Sequence, residues 1–221
     1  MENEAIDFID DTETLEKEIN DDLLRMDESN ELLDISVELI CSIENFNNNM
    51  ECLAKTFHLL TDDKNNPFLK GTILAGIISA FEGFVHELFK IFCNKPIYIS
   101  RAMENIRSTP KPILNKSFKL QKVTSEKTLK NMLLNSTFND PVTISFISEL
   151  LFKLNMPPFD KEYTRSIIEK RNAFTHKNGI RDDCYVSITY DEILAAYDHY
   201  FDTVKSYRDT IENHALDQIP V

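Results

Sequence analysis

Arg171, Asn172 and His176 stand close together in the stretch RNAFTHKNG, Arg171 to Gly179. These residue types suit one chemistry. An imidazole can take the proton of a ribose 2′-OH, and a guanidinium can hold the charge that builds on the phosphorus oxygens as that oxygen attacks. Such a cleavage of RNA needs no metal. Asn172 adds a neutral polar group able to orient a phosphate. The chain holds a second pair of these residue types, Arg208 and His214, but in a run that reads as solvated helix surface. The structural alternative for the first pair is a helix-end cluster. In it His176 is a terminal cation and Arg171 forms a surface ion pair with Glu169 or Asp182.

His176 lies five positions after Arg171. On a regular α-helix that is a turn of roughly 500°, which leaves the two side chains about 140° apart. They cannot converge on one phosphate from an unbroken helix. Either the helix ends or bulges before His176, with Thr175, Asn178 and Gly179 making a local break, or each motif works with a partner chain's copy.

The elements that must position this pair read as helices. Residues 1–14 are acidic and weakly patterned, and a frayed start is expected there. Leu15, Ile19 and Leu23 then suggest a short amphipathic helix. From Ser29 a long helix follows, with Leu32, Leu39, Ile43, Phe46, Met50, Leu53, Phe57 and Leu60 forming a narrow apolar seam that has one polar gap at Ser36. The run Thr61 to Pro67 breaks it, and Asn66-Pro67 reads as a cap and first turn. The next helix, Pro67 to Phe92, carries Ile73, Ile77, Phe81, Phe84, Leu88 and Phe92 on one side. Gly71, Ala75, Gly76, Ser79, Ala80 and Gly83 are small enough to admit another backbone. Glu82, in FEGF, is a carboxylate in an apolar helix and needs a partner. His86 reads as a satisfied, partly buried histidine.

Residues 94–140 are punctuated by Pro96, Pro110 and Pro112 and read as an insertion with one or two short helices. Pro141 opens a helix to Leu154, with Ile144, Ile147, Leu150, Leu151 and Leu154 inward. Another helix runs from Lys161 to Phe174 and stops between Lys177 and Gly179, where Asn178-Gly179 is a stop signal. Cys184 to Tyr190 alternates as a short extended piece. Thr189 and Glu192 form a capping box for a final helix that carries Ile193, Leu194, Tyr197, Phe201, Val204, Tyr207 and Ile211, with a frayed tail after His214.

With 221 residues the chain can bury a core without disulfides. Cys41, Cys52, Cys93 and Cys184 match no zinc or redox spacing and read as reduced and mostly buried. No apolar run follows a basic start, so no signal peptide is expected. Glu82, His86, Glu87 and Lys90 interrupt the most apolar stretch, which argues against a membrane span, and a cytoplasmic location is the default. The net charge of −13 is uneven. Residues 1–34 hold 14 acidic and 2 basic residues, whereas Lys90 to Lys130 holds ten basic residues against Glu104 and Glu126. Such a segment can hold phosphates even in an acidic protein, or can be a solvated connection. There is no phosphate-binding glycine loop and no metal-ligand spacing. His58, His86, His176, His199 and His214 are scattered, and His199 with Asp198 and Asp202 reads as a wet helix face.

An apolar helix rich in small residues with FEGF, a spacer, a helix ending in RNAFTH, a polar turn and a capped final helix follow in that order. In this order of parts the chain resembles the HEPN superfamily, especially its prokaryotic toxin-type members, whose signature is Arg, four to six residues, then His. The resemblance spans Ser29 to Asn213. It implies an all-α, HEPN-like bundle over residues 29–214, here with an acidic N-terminal arm at 1–28, a basic insertion at 94–140 and a tail at 215–221. It also implies a homodimer in which two motifs meet as one metal-independent ribonuclease site, without cofactor, in toxin–antitoxin or anti-phage defence. Arg171 and His176 would be the catalytic pair, with Asn172 and Glu82 as auxiliary residues. Lys111, Lys116, Lys119, Lys122 and Lys177 would hold RNA, a tRNA or mRNA, and an antitoxin or defence-complex partner is expected. The alternative is a non-catalytic HEPN-like interaction or immunity protein that binds a partner protein or nucleotide.

Overall fold

A computed structural model describes residues 2–60, 67–109, 122–157 and 160–217. Its elements are α1 (Glu2–Ala54), a 3-10 turn (Phe57–Leu60), α2 (Pro67–Asn94), α3 (Pro96–Ser108), α4 (Glu126–Leu134), α5 (Pro141–Phe152), α6 (Lys161–Lys177), β1 (Ile180–Arg181), β2 (Cys184–Tyr185) and α7 (Tyr190–Asp217). The architecture is an all-α bundle with one minimal hairpin.

Continuity of α1 is the first departure from expectation. Where a frayed start, a short helix and a long helix were expected, one helix begins at Glu2. Nothing between Glu2 and Ala54 is a proline or glycine, so no residue interrupts the backbone ladder. The seam itself is closed, because Ile35 fills the gap expected at Ser36. Leu32, Ile35, Leu39, Phe46 and Met50 are all buried. They pack α1 against α2 and α7.

α2 is the central helix. It touches α1, α3, α4, α6 and α7, and Ile73, Ile77, Phe81, Phe84, Leu88 and Phe92 are buried along it. By length and composition it could cross a membrane, but here its apolar residues form the core of the bundle. Gly71 and Gly76 admit side chains. A Cβ at Gly71 would lie 2.0 Å from the Phe174 ring, and one at Gly76 would lie 2.8 Å from Leu53, while Gly83 faces open space.

The described parts of the segment expected as an insertion, 94–109 and 122–140, pack into the core. Pro96 starts α3, whose Tyr98, Ile99, Ala102 and Met103 are buried; α3 packs on α5 and α2. Tyr98, Phe92 and Phe152 form one ring cluster. Ser125 and Thr128 cap α4 reciprocally, and Asp140 caps α5 ahead of Pro141. The expected capping box of α7 is present, with the Thr189 N–H donating to Glu192 and the Glu192 N–H donating to Thr189 Oγ1. That helix runs on through the expected tail to Asp217. Of the cysteines, only Cys93 is buried; Cys41, Cys52 and Cys184 are exposed free thiols. The reading of them as mostly buried fails because α1 and the hairpin are surface elements.

Candidate active site

α6 begins at Asp160, whose carboxylate accepts the N–H groups of Glu162 and Tyr163. It ends in a left-handed cap. Asn178 adopts φ 51°, Gly179 follows at φ +82°, and the Gly179 N–H returns to the Ala173 carbonyl at 2.9 Å. This closes the last turn in the manner of a Schellman motif, where glycine carries no Cβ penalty. Phe174 is wedged between Gly71 of α2 and Gly179 of this turn. Two glycines thus fix where the end of α6 lies against the core.

The helix remains regular through His176, so the expected local break does not occur. Arg171 and His176 consequently leave α6 in different directions. Arg171 turns inward and is 14% exposed. Its Nη2 lies 3.7 Å from Glu82 Oε2, and its Nη1 donates to Asn172 Oδ1 at 3.1 Å. Its Nε is buried without a hydrogen-bond partner among the described residues. Glu82, in turn, accepts the Phe138 backbone N–H at 3.1 Å. The Tyr200 hydroxyl is close enough to this pair to feel both charges; burial pushes its pKa well above the ordinary value. The ion pair of Arg171 with Glu169 or Asp182 does not form. Glu169 instead receives Arg165 and Arg181, each at 3.0 Å, and these two guanidinium groups hold its carboxyl below the usual range.

His176 is exposed and lines an open groove of about 370 Å³ with Glu169, Asn172, Ala173, Lys177, Arg181 and Asp182. Asn172 and His176 are four apart and share a helix face. Asn172 therefore touches both parts: its carbonyl oxygen receives Arg171, and its side chain lines the groove of His176. The far wall comes from the hairpin. Ile180 pairs with Tyr185 and Arg181 with Cys184, across a two-residue turn in which Asp182 and Asp183 have φ of 50° and 60°. These positive values at both central residues define the tight turn that suits a twisted hairpin. The hairpin carries Arg181 back onto α6.

A family model described as RiboL-PSP-HEPN matches residues 44–213. The chain belongs to this HEPN family. Comparison with curated proteins and with solved structures found no match. HEPN membership points to a nuclease-like family and agrees with the all-α fold. The match begins within α1, so the first 43 residues lie outside it.

Within this HEPN domain the expected site residues are distributed unevenly. Arg171, Asn172 and Glu82 are in contact; His176 and Lys177 are at the groove. Lys122 is exposed beyond α3, and Lys111, Lys116 and Lys119 lie outside the described residues. Other cations of the basic segment are already engaged. Arg101 forms a forked pair with Glu28, both bonds at 2.6 Å. Lys95 meets Glu38 at 2.8 Å and Asp34 at 3.4 Å. Burial alone would depress its pKa, but the two carboxylates carry it above the ordinary value. Glu28 at the end of the acidic arm, and Asp34 and Glu38 just beyond it on α1, thus neutralise part of the basic run. His214 is not plain surface either, since its Nε2 stands 3.8 Å from Glu28. His199 is half-buried against the rings of Tyr163 and Tyr200, and burial lowers its pKa. It is not the wet face expected. Among the described residues no cluster of His, Cys, Asp and Glu could hold a metal ion. Sequence reasoning missed Arg181, Phe138 and Tyr200. The Asp182-Asp183 turn was the available signal for the hairpin that carries Arg181.

Proposed function

We propose that this protein is a metal-independent endoribonuclease of toxin–antitoxin or anti-phage type, acting as a homodimer on tRNA or mRNA. One observation carries the proposal. In a HEPN chain, unbroken α6 holds Arg171 inward against Glu82 and Asn172 while His176 faces an open groove. One chain cannot bring both side chains to one phosphate, so the site is composite, with a second copy supplying the complement. The 2′ oxygen attacks the adjacent phosphorus in line. His176 takes the hydroxyl proton and then returns it to the departing 5′ oxygen; Arg171 holds the phosphorane charge. The P–O2′ bond forms, the P–O5′ bond breaks, and the products are a 2′,3′-cyclic phosphate and a 5′-OH end.

The test is cleavage of tRNA and mRNA by purified wild type and His176→Ala, with and without chelator. Wild type should leave cyclic phosphate ends and ignore the chelator. The variant should lose about 10²–10⁴-fold in rate, the usual share of a general acid–base group. Mixing Arg171→Ala with His176→Ala protomers should restore part of the activity. A folded His176→Ala protein that cleaves at the wild-type rate removes the proposal. The second reading, a non-catalytic HEPN-like protein that binds a protein or nucleotide, is favoured by the Glu82 carboxylate already facing the Arg171 charge. It predicts no cleavage by wild type in the same assay.

A further inference from the structure

α1 has two apolar faces, and among the described residues only one is packed against the bundle. The buried seam of Leu32, Ile35, Leu39, Phe46 and Met50 packs on the bundle. A second line, Leu15, Ile19, Met26, Leu33, Val37 and Ile40, is between 41% and 65% exposed. At about 100° per residue these six fall within an arc of roughly 60°, about 140° round the helix from the seam. The line is roughly 40 Å long. Single exposed leucines are ordinary, but six exposed apolar residues aligned on one arc, interrupted there by Asp22, mark an interaction surface. It lies wholly ahead of the part of the chain that matches the family.

The rim of the strip says what would cover it. Glu16, Glu18 and Asp27 flank it, Asp22 stands within it between Ile19 and Met26, and all four are exposed. The basic residue on that rim, Arg25, is 3.6 Å from Asp22. Further along the same helix, the same residue types already capture cations: Glu28 takes Arg101, and Asp34 and Glu38 take Lys95. A second copy would set one acidic rim against another, which repels. We propose that the N-terminal half of α1 docks a partner protein through an amphipathic helix whose apolar strip is rimmed by lysine and arginine. Apolar side chains interdigitate along the strip, and flanking charges fix orientation as at the e and g positions of a coiled coil. This docking does not depend on whether the chain cleaves RNA.

Two synthetic peptides of about four heptads serve as probes, both with isoleucine and leucine in the core, one rimmed by lysine and one by glutamate. They are titrated into the full-length protein and into Leu15→Ala/Ile19→Ala/Met26→Ala/Val37→Ala, which keeps helix propensity and charge. The lysine-rimmed peptide should bind wild type, bind the variant about tenfold or more weakly, and slow amide exchange over residues 14–40; the glutamate-rimmed peptide should not bind. Equal binding to wild type and variant makes the contact purely electrostatic and overturns the proposal, as does no binding by either peptide. Sedimentation of wild type and variant alone is the second readout. A dimer lost in the variant would show that the strip belongs to a second copy, which also overturns it. Melting temperatures check that the variant is folded.

Discussion

Among the described residues two carboxylate–guanidinium pairs bridge helices, and they are built differently. Glu28 and Arg101 meet as a fork, with both bonds at 2.6 Å. Tyr98 lies under the guanidinium, 5.3 Å from the ring centre, and its hydroxyl approaches the same carboxylate. Glu82 and Arg171 meet through one 3.7 Å approach, with the Arg171 Nε left unbonded. The first pair is closed: little capacity of either ion is left for a ligand, and it ties α1 to α3. The second is open, oriented by Asn172 and Glu82 but not saturated. A fork of that kind stabilises a fold, whereas a guanidinium held by one long approach is less committed to its carboxylate.

Exchanging the loss between the two pairs breaks or sharpens this contrast most strongly. Arg171→Ala should reduce RNA cleavage by about 10²–10³-fold, the usual cost of removing a donor that stabilises developing negative charge, with little change in melting temperature. Arg101→Ala should do the reverse. It leaves Glu28 half-buried beside a weaker partner, costs about 2 kcal/mol of stability, and spares the rate per folded molecule. Urea unfolding alongside cleavage assays reads both. If Arg171→Ala proves the more destabilising variant and cleavage is unaffected, the Glu82 pair is structural and the contrast fails.

The next effect concerns how the open pair is held in place. Gly71→Ala places a Cβ 2.0 Å from the Phe174 ring, which is already bounded by Gly179 on its other side. The roughly 1 kcal/mol that alanine gains in helix propensity is outweighed by an overpacking cost of about 1–3 kcal/mol. The ring cannot yield without moving the end of α6, two residues before His176. Thermal unfolding should show a net loss, and cleavage should fall by more than the folded fraction. Gly83→Ala is the control: its Cβ meets nothing within 4 Å, so the helix gain should appear without loss of activity.

The unbroken α1 and the core-packed α3 were not legible from apolar spacing, whereas the later helices α5, α6 and α7 were, and the capping signals at Asn178-Gly179 and Thr189-Glu192 are local chemistry. The motif Arg171 to His176 was legible for the same reason. What the two side chains face was not. Glu82 reaches Arg171 from 89 positions away in the chain and is itself held by the Phe138 N–H from 56 positions away, and no local pattern encodes that meeting. The hairpin was only half visible, because two aspartates, not Asn-Gly, take the left-handed positions. The ion pairs between the acidic α1 and the basic α3 are likewise tertiary. Opposite charge blocks in the sequence suggest attraction but not that Glu28 selects Arg101.

Acid titration gives the smallest and most specific test of the closed pair. His214, 3.8 Å away, and the Arg101 fork hold the Glu28 carboxyl down at about 2, below the ordinary 4.5. A group with a depressed folded-state pKa stabilises the protein fully above its unfolded value and loses that contribution as pH falls through the folded one. The window here runs from about 4.5 down to about 2. Other carboxylates titrate in the same range, so the comparison is with Glu28→Gln. The gap in unfolding free energy between wild type and variant should be constant from pH 7 to about 5, then close progressively as pH approaches 2. A gap that stays open at pH 2 would show that the Arg101 fork does not hold the Glu28 charge and that the closed pair is not the stabilising one.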